Sequence, residues 1–166
     1  MKRIALTAIC LLLPVAALIG FRGKTVHRIL LPSNVIESNA VIWGFDALSV
    51  NGAGEFHAEG YLAVSNEEQW YPQSNKSVWL YDPASETRYQ LSTAEVNRGG
   101  IDGYEGEKNY SYCGFKCDAK LSELNPKDGA EYNILLAYQC RGSLYLVDTG
   151  NKLLFNGLAF SIKETA

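Results

Sequence analysis

Short apolar runs separated by turn-forming residues are the feature that most constrains the fold of this chain. From residue 40 onward, several runs alternate polar and apolar side chains, and Gly, Asn, Asp or Pro interrupts them at short intervals. Alternation with a period of two is typical of strands. Beyond the N-terminus only one turn, at 121–124, has a helical pattern. We therefore predict an all-β, antiparallel β-sandwich of about seven or eight strands, with a closed barrel as the alternative.

The predicted strands and turns follow from these runs. The strand-like segments are residues 40–50, 55–64, 77–82, 87–93, 110–121, 131–140, 143–150 and 152–160. The strongest turn signals are Asn51-Gly52, Asp82-Pro83, Gly150-Asn151 and the stretch NPKDG at 125–129, because these residue types favour turn conformations. We predict that NPKDG closes a hairpin between the strands on either side of it, and that residues 94–109 form a long loop.

An uncharged N-terminal stretch, Ile4–Phe21, lies between Lys2-Arg3 and the basic residues Arg22 and Lys24. At about 1.5 Å per residue, a helix of about 18 residues just crosses a bilayer core of about 30 Å. A cleaved signal peptide has the same basic start, and the small residues at 15–17 offer a cleavage site. The sequence therefore predicts one N-terminal hydrophobic helix, which is either a single-pass membrane anchor or a cleaved signal.

The chain then divides into three predicted segments: an anchor or signal at 1–24, a linker at 25–39 and a β-sandwich domain at 40–166. A Tyr-rich, strand-forming domain with cysteines suits the extracytoplasmic side of a cell membrane, or secretion if the leader is cleaved. The 15 Lys and Arg are outnumbered by 18 Asp and Glu. We expect no nucleic-acid partner, because duplex binding requires a basic surface.

Cys113 and Cys117 lie four positions apart in the segment YCGFKCD. In a straight strand their Cα atoms would be about 13 Å apart, whereas a disulfide requires about 7 Å or less. If NPKDG is the tip of a hairpin, Cys140 lies opposite residues 110–114. We therefore predict a disulfide between Cys113 and Cys140, with Cys117 packed in the core. A Cys117–Cys140 bond through a bulge and three buried thiols are the alternatives.

The same cysteines are poor candidates for metal ligands. A structural zinc site needs a second pair of ligands. Apart from Cys140, the remaining candidates are His27 and His57, which lie far upstream in different surroundings. We predict neither a metal site nor a cofactor.

Landmarks along the domain occur in a recognisable order: EGYLAVSNEE, SVWLYDPASETRYQLST, CGFKCDAKLSELNPKDGAEYNILLAY and LYLVDTGNKL. This order resembles the small immunoglobulin-like (Ig-like) β-sandwich domain associated with bacterial cell-envelope polysaccharide and glycosyltransferase machinery. The resemblance covers roughly residues 40–155. The matching positions are Gly60, Tyr61, Tyr89, Gly114, Phe115, Leu124, Gly129, Tyr132, Ile134, Thr149 and Gly150. Alternation with a period of two predicts that Leu124, Tyr132 and Ile134 face inward.

The resemblance implies an Ig-like sandwich that binds or accompanies an envelope glycan or its assembly proteins. The family, as it is known to us, has no established catalytic residues, so none are carried over. The chain departs from the family in one loop: NRGGID stands in place of an Arg-x-Asp motif, and Gly-Gly-Ile separates Arg98 from Asp102. We therefore do not assign the role of the family's Arg-x-Asp motif to Arg98 and Asp102. Both residues remain candidate ligand-binding residues.

Aromatic side chains provide the other candidate ligand-binding residues. Trp79 and Tyr81 share one face of their strand, and Val78 and Leu80 share the other. If the aliphatic pair faces the core, the aromatic pair points outward and could stack on a sugar ring or contact a partner. The alternative is that Trp79 fills the core of the sandwich. Trp70 and Tyr71 belong to a predicted loop, where an aromatic residue often marks a contact.

Catalytic patterns are sparse in this sequence. His57 is the one histidine within residues 40–166, and no nucleophile elbow or oxyanion loop accompanies it. We expect a non-catalytic, membrane-anchored domain that binds or accompanies an envelope glycan or its assembly proteins. A structural protein-interaction subunit of a membrane complex is the alternative. A small hydrolase would require a cleft that gathers His57, a carboxylate and a nucleophile.

Overall fold

The computed structural model describes residues 25–31, 35–37, 41–64, 74–98, 101 and 110–164. In this part of the chain the strands are β1 (Val26–Ile29), β2 (Val35–Glu37), β3 (Val41–Val50), β4 (Glu55–Val64), β5 (Ser74–Asp82), β6 (Thr87–Leu91), β7 (Thr93–Val96), β8 (Gly114–Lys120), β9 (Glu131–Cys140), β10 (Ser143–Phe155) and β11 (Phe160–Lys163). A 3-10 helix, Leu121–Leu124, follows β8. The prediction of an all-β fold is confirmed.

The strands form two sheets. The larger sheet has the order β1-β6-β5-β9-β10-β11, and β2 pairs with β10 as well. The smaller sheet has the order β3-β4-β8-β7. All neighbouring strands are antiparallel except β2, which runs parallel to β10. The chain passes from sheet to sheet in pairs of strands, with β3-β4 and β7-β8 in the small sheet and β5-β6 and β9-β10 in the large one.

Period-two alternation places the core between the two sheets. In β4, Phe56, Ala58 and Leu62 face inward, and in β8 Phe115, Cys117 and Ala119 do so. The large sheet contributes Val78 and Leu80 from β5 and Tyr132, Ile134 and Leu136 from β9. The predicted inward positions of Leu124, Tyr132 and Ile134 are confirmed. Of the two arrangements considered for β5, the structure has the one in which Val78 and Leu80 face the core.

A second apolar cluster lies on the outer face of the large sheet. It contains Trp79, Leu135, Ala137 and Leu144, which alternate along β5, β9 and β10 with the inward-facing residues. Because both faces of β9 carry apolar side chains, its central residues are buried continuously from Ile134 to Tyr138.

The turn predicted at Asn51-Gly52 is confirmed and depends on the asparagine side chain. Asn51 Oδ1 accepts hydrogen bonds from the backbone N–H groups of Ala53 and Glu55, both at 3.0 Å. Gly54 takes a positive φ of 75°, which a residue with a side chain rarely adopts. The turn joins β3 directly to β4 as neighbours.

The predicted hairpin around NPKDG is wrong. β8 pairs with β4 and β7 in the small sheet, whereas β9 pairs with β5 and β10 in the large sheet. The 3-10 helix buries Leu121 and Leu124, and Asn125 then adopts a left-handed conformation that redirects the chain. Residues 121–130 therefore form a crossover between the sheets.

The predicted Cys113–Cys140 disulfide is wrong for the same reason. Cys113 precedes β8 in the small sheet, and Cys140 ends β9 in the large sheet. Cys113, Cys117 and Cys140 are buried, and no pair among the described cysteines forms a disulfide. The alternative of three buried thiols is the one that the structure supports.

Several boundaries also differ from the sequence prediction. The described residues form eleven strands rather than seven or eight. β1 and β2 lie in the predicted linker 25–39, most of β7 lies in the predicted loop, and β11 begins at the end of the last predicted strand. Residues 143–155 form one strand whose register shifts between Asp148 and Lys152, so Gly150-Asn151 lies in a bulge and not in a turn. The predicted N-terminal helix lies outside the described residues, and within them no helix is long and apolar enough to cross a membrane.

Candidate functional site

The predicted aromatic pair lies on the outer face of the large sheet. Trp79 is only 5 % exposed, and its indole N–H donates to Ser77 Oγ at 2.8 Å. Tyr81 is half-buried, with the guanidinium of Arg88 4.5 Å from the centre of its ring. The two side chains do point away from the core between the sheets, but Trp79 is covered and offers little surface for stacking. Trp70 and Tyr71 lie outside the described residues.

Arg98 is engaged in structural contacts on the small sheet. Its Nε and Nη2 donate to the two carboxylate oxygens of Asp46 at 2.9 and 2.6 Å, and its guanidinium lies 4.6 Å from the centre of the Tyr61 ring. This bidentate pair attaches the end of the β7 segment to the outer face of β3 and β4. Asp102 lies outside the described residues. The structure therefore does not bring Arg98 together with Trp79 and Tyr81, which lie on the other sheet.

His57 lies in a groove of about 490 Å³ on the outer face of the small sheet. Its Nδ1 is 2.7 Å from Asp118 Oδ1, and its Nε2 is 3.8 Å from Glu59 Oε2. Ser49 and Asp118 are its cross-strand neighbours on β3 and β8. Among the described residues, however, no hydrogen bond joins Ser49 to the imidazole. The groove thus gathers a serine, a histidine and a carboxylate without connecting the nucleophile to the base.

Lys76 and Glu95 form a charged pair that the sequence analysis missed. Lys76 is fully buried, and Glu95 Oε1 lies 3.5 Å from its Nζ and accepts from its backbone N–H at 3.0 Å. Burial lowers the pKa of Lys76, while the charge of Glu95 and its hydrogen bond to the lysine oppose that shift. A lysine on the inward face of an otherwise apolar strand was the available signal.

Burial affects the ionisation of two cysteine thiols. Burial raises the pKa of Cys117 to about 12, although the hydrogen bond with Thr93 acts in the opposite direction. Burial also raises the pKa of Cys113. Within the described residues no group of three or more His, Cys, Asp and Glu side chains could hold a metal ion.

A cleft at one end of the sandwich has the size of a small-ligand site. It has a volume of about 630 Å³ and lies between the turn 82–85, Tyr89 of β6 and the segment 124–132. We call it the tyrosine cleft, because Tyr89 and Tyr132 are its aromatic residues. Their ring centres are 6.2 Å apart at an interplanar angle of 74°. The volume is within the range of about 300–1,000 Å³ that is typical of small-molecule pockets.

The walls of the tyrosine cleft are tied to the sheet. Asp82 closes one wall, since its carboxylate accepts from the N–H of Ala84 at 2.9 Å and from the Ser85 hydroxyl at 2.6 Å. The other wall is fixed to β10, because the N–H of Gly129 donates to the Phe155 carbonyl at 3.0 Å. These hydrogen bonds fix the positions of both walls of the cleft.

The sequence analysis placed two turns and one inward-facing tyrosine, Tyr132, in these segments but did not combine them into a site. The available signal was that both turns, DPAS and NPKDG, are each followed within a few residues by a tyrosine. The two turns meet only because β5 and β9 are neighbours in the large sheet.

Comparison of the chain with protein-family models, with curated proteins and with solved structures gives no match. The function therefore has to be argued from the fold and the side chains of this chain.

Proposed function

We propose that this chain is a non-catalytic, Ig-like module on the extracytoplasmic side of a bacterial membrane, which binds or accompanies an envelope glycan or its assembly proteins. The observation that carries the proposal is the strand order. In Ig domains one sheet has the order A-B-E-D, and variable domains add C′ to the sheet G-F-C. Here β3-β4-β8-β7 corresponds to the first sheet, and β10-β9-β5-β6 corresponds to the second.

The step from this fold to binding is an analogy, because one fold hosts many functions. Sandwich domains generally carry their binding residues on the loops and turns at the ends of the sheets, where the rigid strands hold them in place. The tyrosine cleft lies at such an end.

Binding can be tested with the full-length protein in detergent on an array of isolated bacterial envelope glycans. We expect retention of at least one glycan, with heat-denatured protein as the control. If no glycan is retained, the glycan-binding part of the proposal is wrong.

The leader supports the proposed location. The uncharged stretch Ile4–Phe21 precedes a firmly held start of the domain. The carboxylate of Glu123 accepts from the backbone N–H groups of Thr25 and Val26 at 2.8 and 3.0 Å. A tether would therefore join the domain at a fixed point beside β1.

A C-terminal alkaline phosphatase fusion expressed in bacteria tests the location, because this enzyme is active only after export. We expect an active fusion. An inactive phosphatase together with a fluorescent cytoplasmic reporter at the same position would contradict the proposed orientation.

The long edge strand β3 favours a protein-interaction subunit as a second candidate. Within the described residues, β3 has ten residues and a neighbour on one side only. Its half-buried Trp43, Phe45 and Leu48 pack against the core beside that edge. An unpaired edge can accept a strand from another protein.

Cross-linking in cells followed by mass spectrometry tests this candidate. Ser49→Lys places a charge at an exposed position on β3, and we expect it to reduce capture of a partner without changing glycan retention. Equal capture by the variant and the wild type would show that β3 is not the contact surface.

A further inference from the structure

We infer that the tyrosine cleft is a binding site for an uncharged, hydroxyl-rich ring, such as one neutral sugar unit of a glycan. This inference rests on the proposed glycan-binding function and assigns it a place on the molecule. Trp79, the aromatic residue that the sequence suggested for stacking, is covered.

Tyr132 provides the strongest argument. The residue is only 3 % exposed, yet its hydroxyl makes no hydrogen bond with another described residue. The hydroxyl oxygen itself remains accessible to solvent, so it can hydrogen-bond a molecule in the cleft. Tyr132 belongs to the lining of the cleft, so a ligand hydroxyl there could replace solvent at this oxygen.

The protonation state of Tyr132 suits this role. Burial raises its pKa to about 12, and the neighbouring Tyr89 and Asp82 act in the same direction. The hydroxyl therefore remains a hydrogen-bond donor at neutral pH, and the carboxylate of Asp82 is an acceptor nearby. A ligand that carries hydroxyl groups can both donate and accept, which matches this pair.

The remaining lining supplies an apolar surface and polar groups at the rim. Tyr89 is half-buried, with its ring beside that of Tyr132. The exposed side chains of Asn125 and Lys127 make no hydrogen bond within the described residues. Aromatic rings can cover the apolar face of a sugar, while amide and ammonium groups bind its hydroxyls.

The charge of the cleft disfavours anionic ligands. Its lining has three carboxylates, from Asp82, Asp128 and Glu131, and one ammonium, from Lys127. Glu131 is paired with Lys152 at 3.0 Å, but the other two carboxylates still outnumber the single lysine. A phosphate or a uronic acid would therefore meet repulsion, whereas a neutral sugar would not.

The test uses the full-length protein and a panel of soluble sugars: glucose, galactose, mannose and N-acetylglucosamine, with glucuronic acid as the anionic comparison. Affinity is measured by titration calorimetry, and contact with tyrosine rings by saturation-transfer NMR. We expect a neutral sugar to bind more tightly than glucuronic acid. Tyr132→Phe, which removes only the hydroxyl, should weaken binding about tenfold, the equivalent of about 1.4 kcal/mol.

Tyr145→Phe is the matched control, because Tyr145 lies on β10 outside the cleft. Asn125→Gly is a second variant that keeps the fold, since glycine tolerates the positive φ of 49° at this position. We expect Tyr145→Phe to bind like the wild type and Asn125→Gly to bind more weakly.

The outcomes separate the inference from the proposed function. If the wild type binds a sugar and neither Tyr132→Phe nor Asn125→Gly weakens it, the protein binds glycans but the tyrosine cleft is not the site. Preference for glucuronic acid would also overturn the inference. If the wild type binds no glycan on the array and no sugar in the panel, the proposed glycan binding is itself wrong.

Discussion

At Lys76 the sandwich buries a charged side chain among apolar residues. The lysine is paired with Glu95, and the second oxygen of that carboxylate, Oε2, is buried without a hydrogen bond to another described residue. Such a pair contributes little net stability, since desolvation offsets the attraction, but removal of one partner leaves the other charge buried and uncompensated.

Lys76→Met should therefore destabilise the protein by about 3–5 kcal/mol, whereas the double variant Lys76→Met/Glu95→Leu should recover much of that loss. Urea unfolding of the single and double variants measures both values. The exposed pair Lys152–Glu131 is the control, and Lys152→Met should change stability by less than about 1 kcal/mol. If Lys76→Met and Lys152→Met lowered the free energy of unfolding equally, burial of the pair would not explain the effect at Lys76.

The pKa of Lys76 predicts an alkaline dependence of stability. Burial lowers this pKa below its usual 10.5, so between the two values the unfolded chain binds more protons than the folded chain. The free energy of unfolding of the wild type should therefore increase relative to that of Lys76→Met as pH rises toward 10.5. Urea midpoints of both proteins across that range provide the measurement, and a constant difference would contradict the prediction.

At the scale of elements, the pairing of β3 with β4 depends on a glycine. Gly60 lies opposite Phe45, where the register of the two strands shifts. A Cβ at Gly60 would overlap the carbonyl oxygen of Gly44 and lie 3.0 Å from the Cα of Phe45. Because these are backbone atoms, they cannot move aside without separating the strands.

Gly60→Ala should destabilise the protein by about 1–3 kcal/mol through this overlap. Gly52→Ala is the control, since a Cβ at Gly52 would meet nothing within 4 Å. Thermal or urea unfolding of the two variants gives the comparison. A Gly60→Ala protein as stable as Gly52→Ala would show that the strands can adjust at no cost.

At the scale of the whole molecule, the described parts of the two sheets are held together by packing and not by a disulfide. Cys113 and Cys140 belong to different sheets, and the described cysteines form no disulfide with one another. Cys117 contributes instead as an apolar side chain of the core between the sheets.

Reductant should therefore leave the melting temperature unchanged. In the folded protein Cys117 should resist alkylation at neutral pH, because the thiolate is the reactive form and burial raises the pKa of this thiol to about 12. Unfolding without reductant should make Cys113, Cys117 and Cys140 all reactive, as measured by mass spectrometry of the peptides. A peptide in which Cys113 is joined to Cys140 would contradict this prediction.

The sequence by itself determined where most strands lie and which of their residues face inward. The strand Glu55–Val64 and the inward positions of Tyr132 and Ile134 followed from alternation, which is a local property of the chain. The tertiary structure alone decided which strands became neighbours. The turn residues of NPKDG are compatible both with a hairpin within one sheet and with a crossover between two sheets. Which connection forms depends on which arrangement of strands buries the apolar faces of both sheets. The predicted Cys113–Cys140 disulfide was wrong for that reason. The tyrosine cleft joins segments that are distant in the chain, so it could not be predicted without knowing which strands are neighbours.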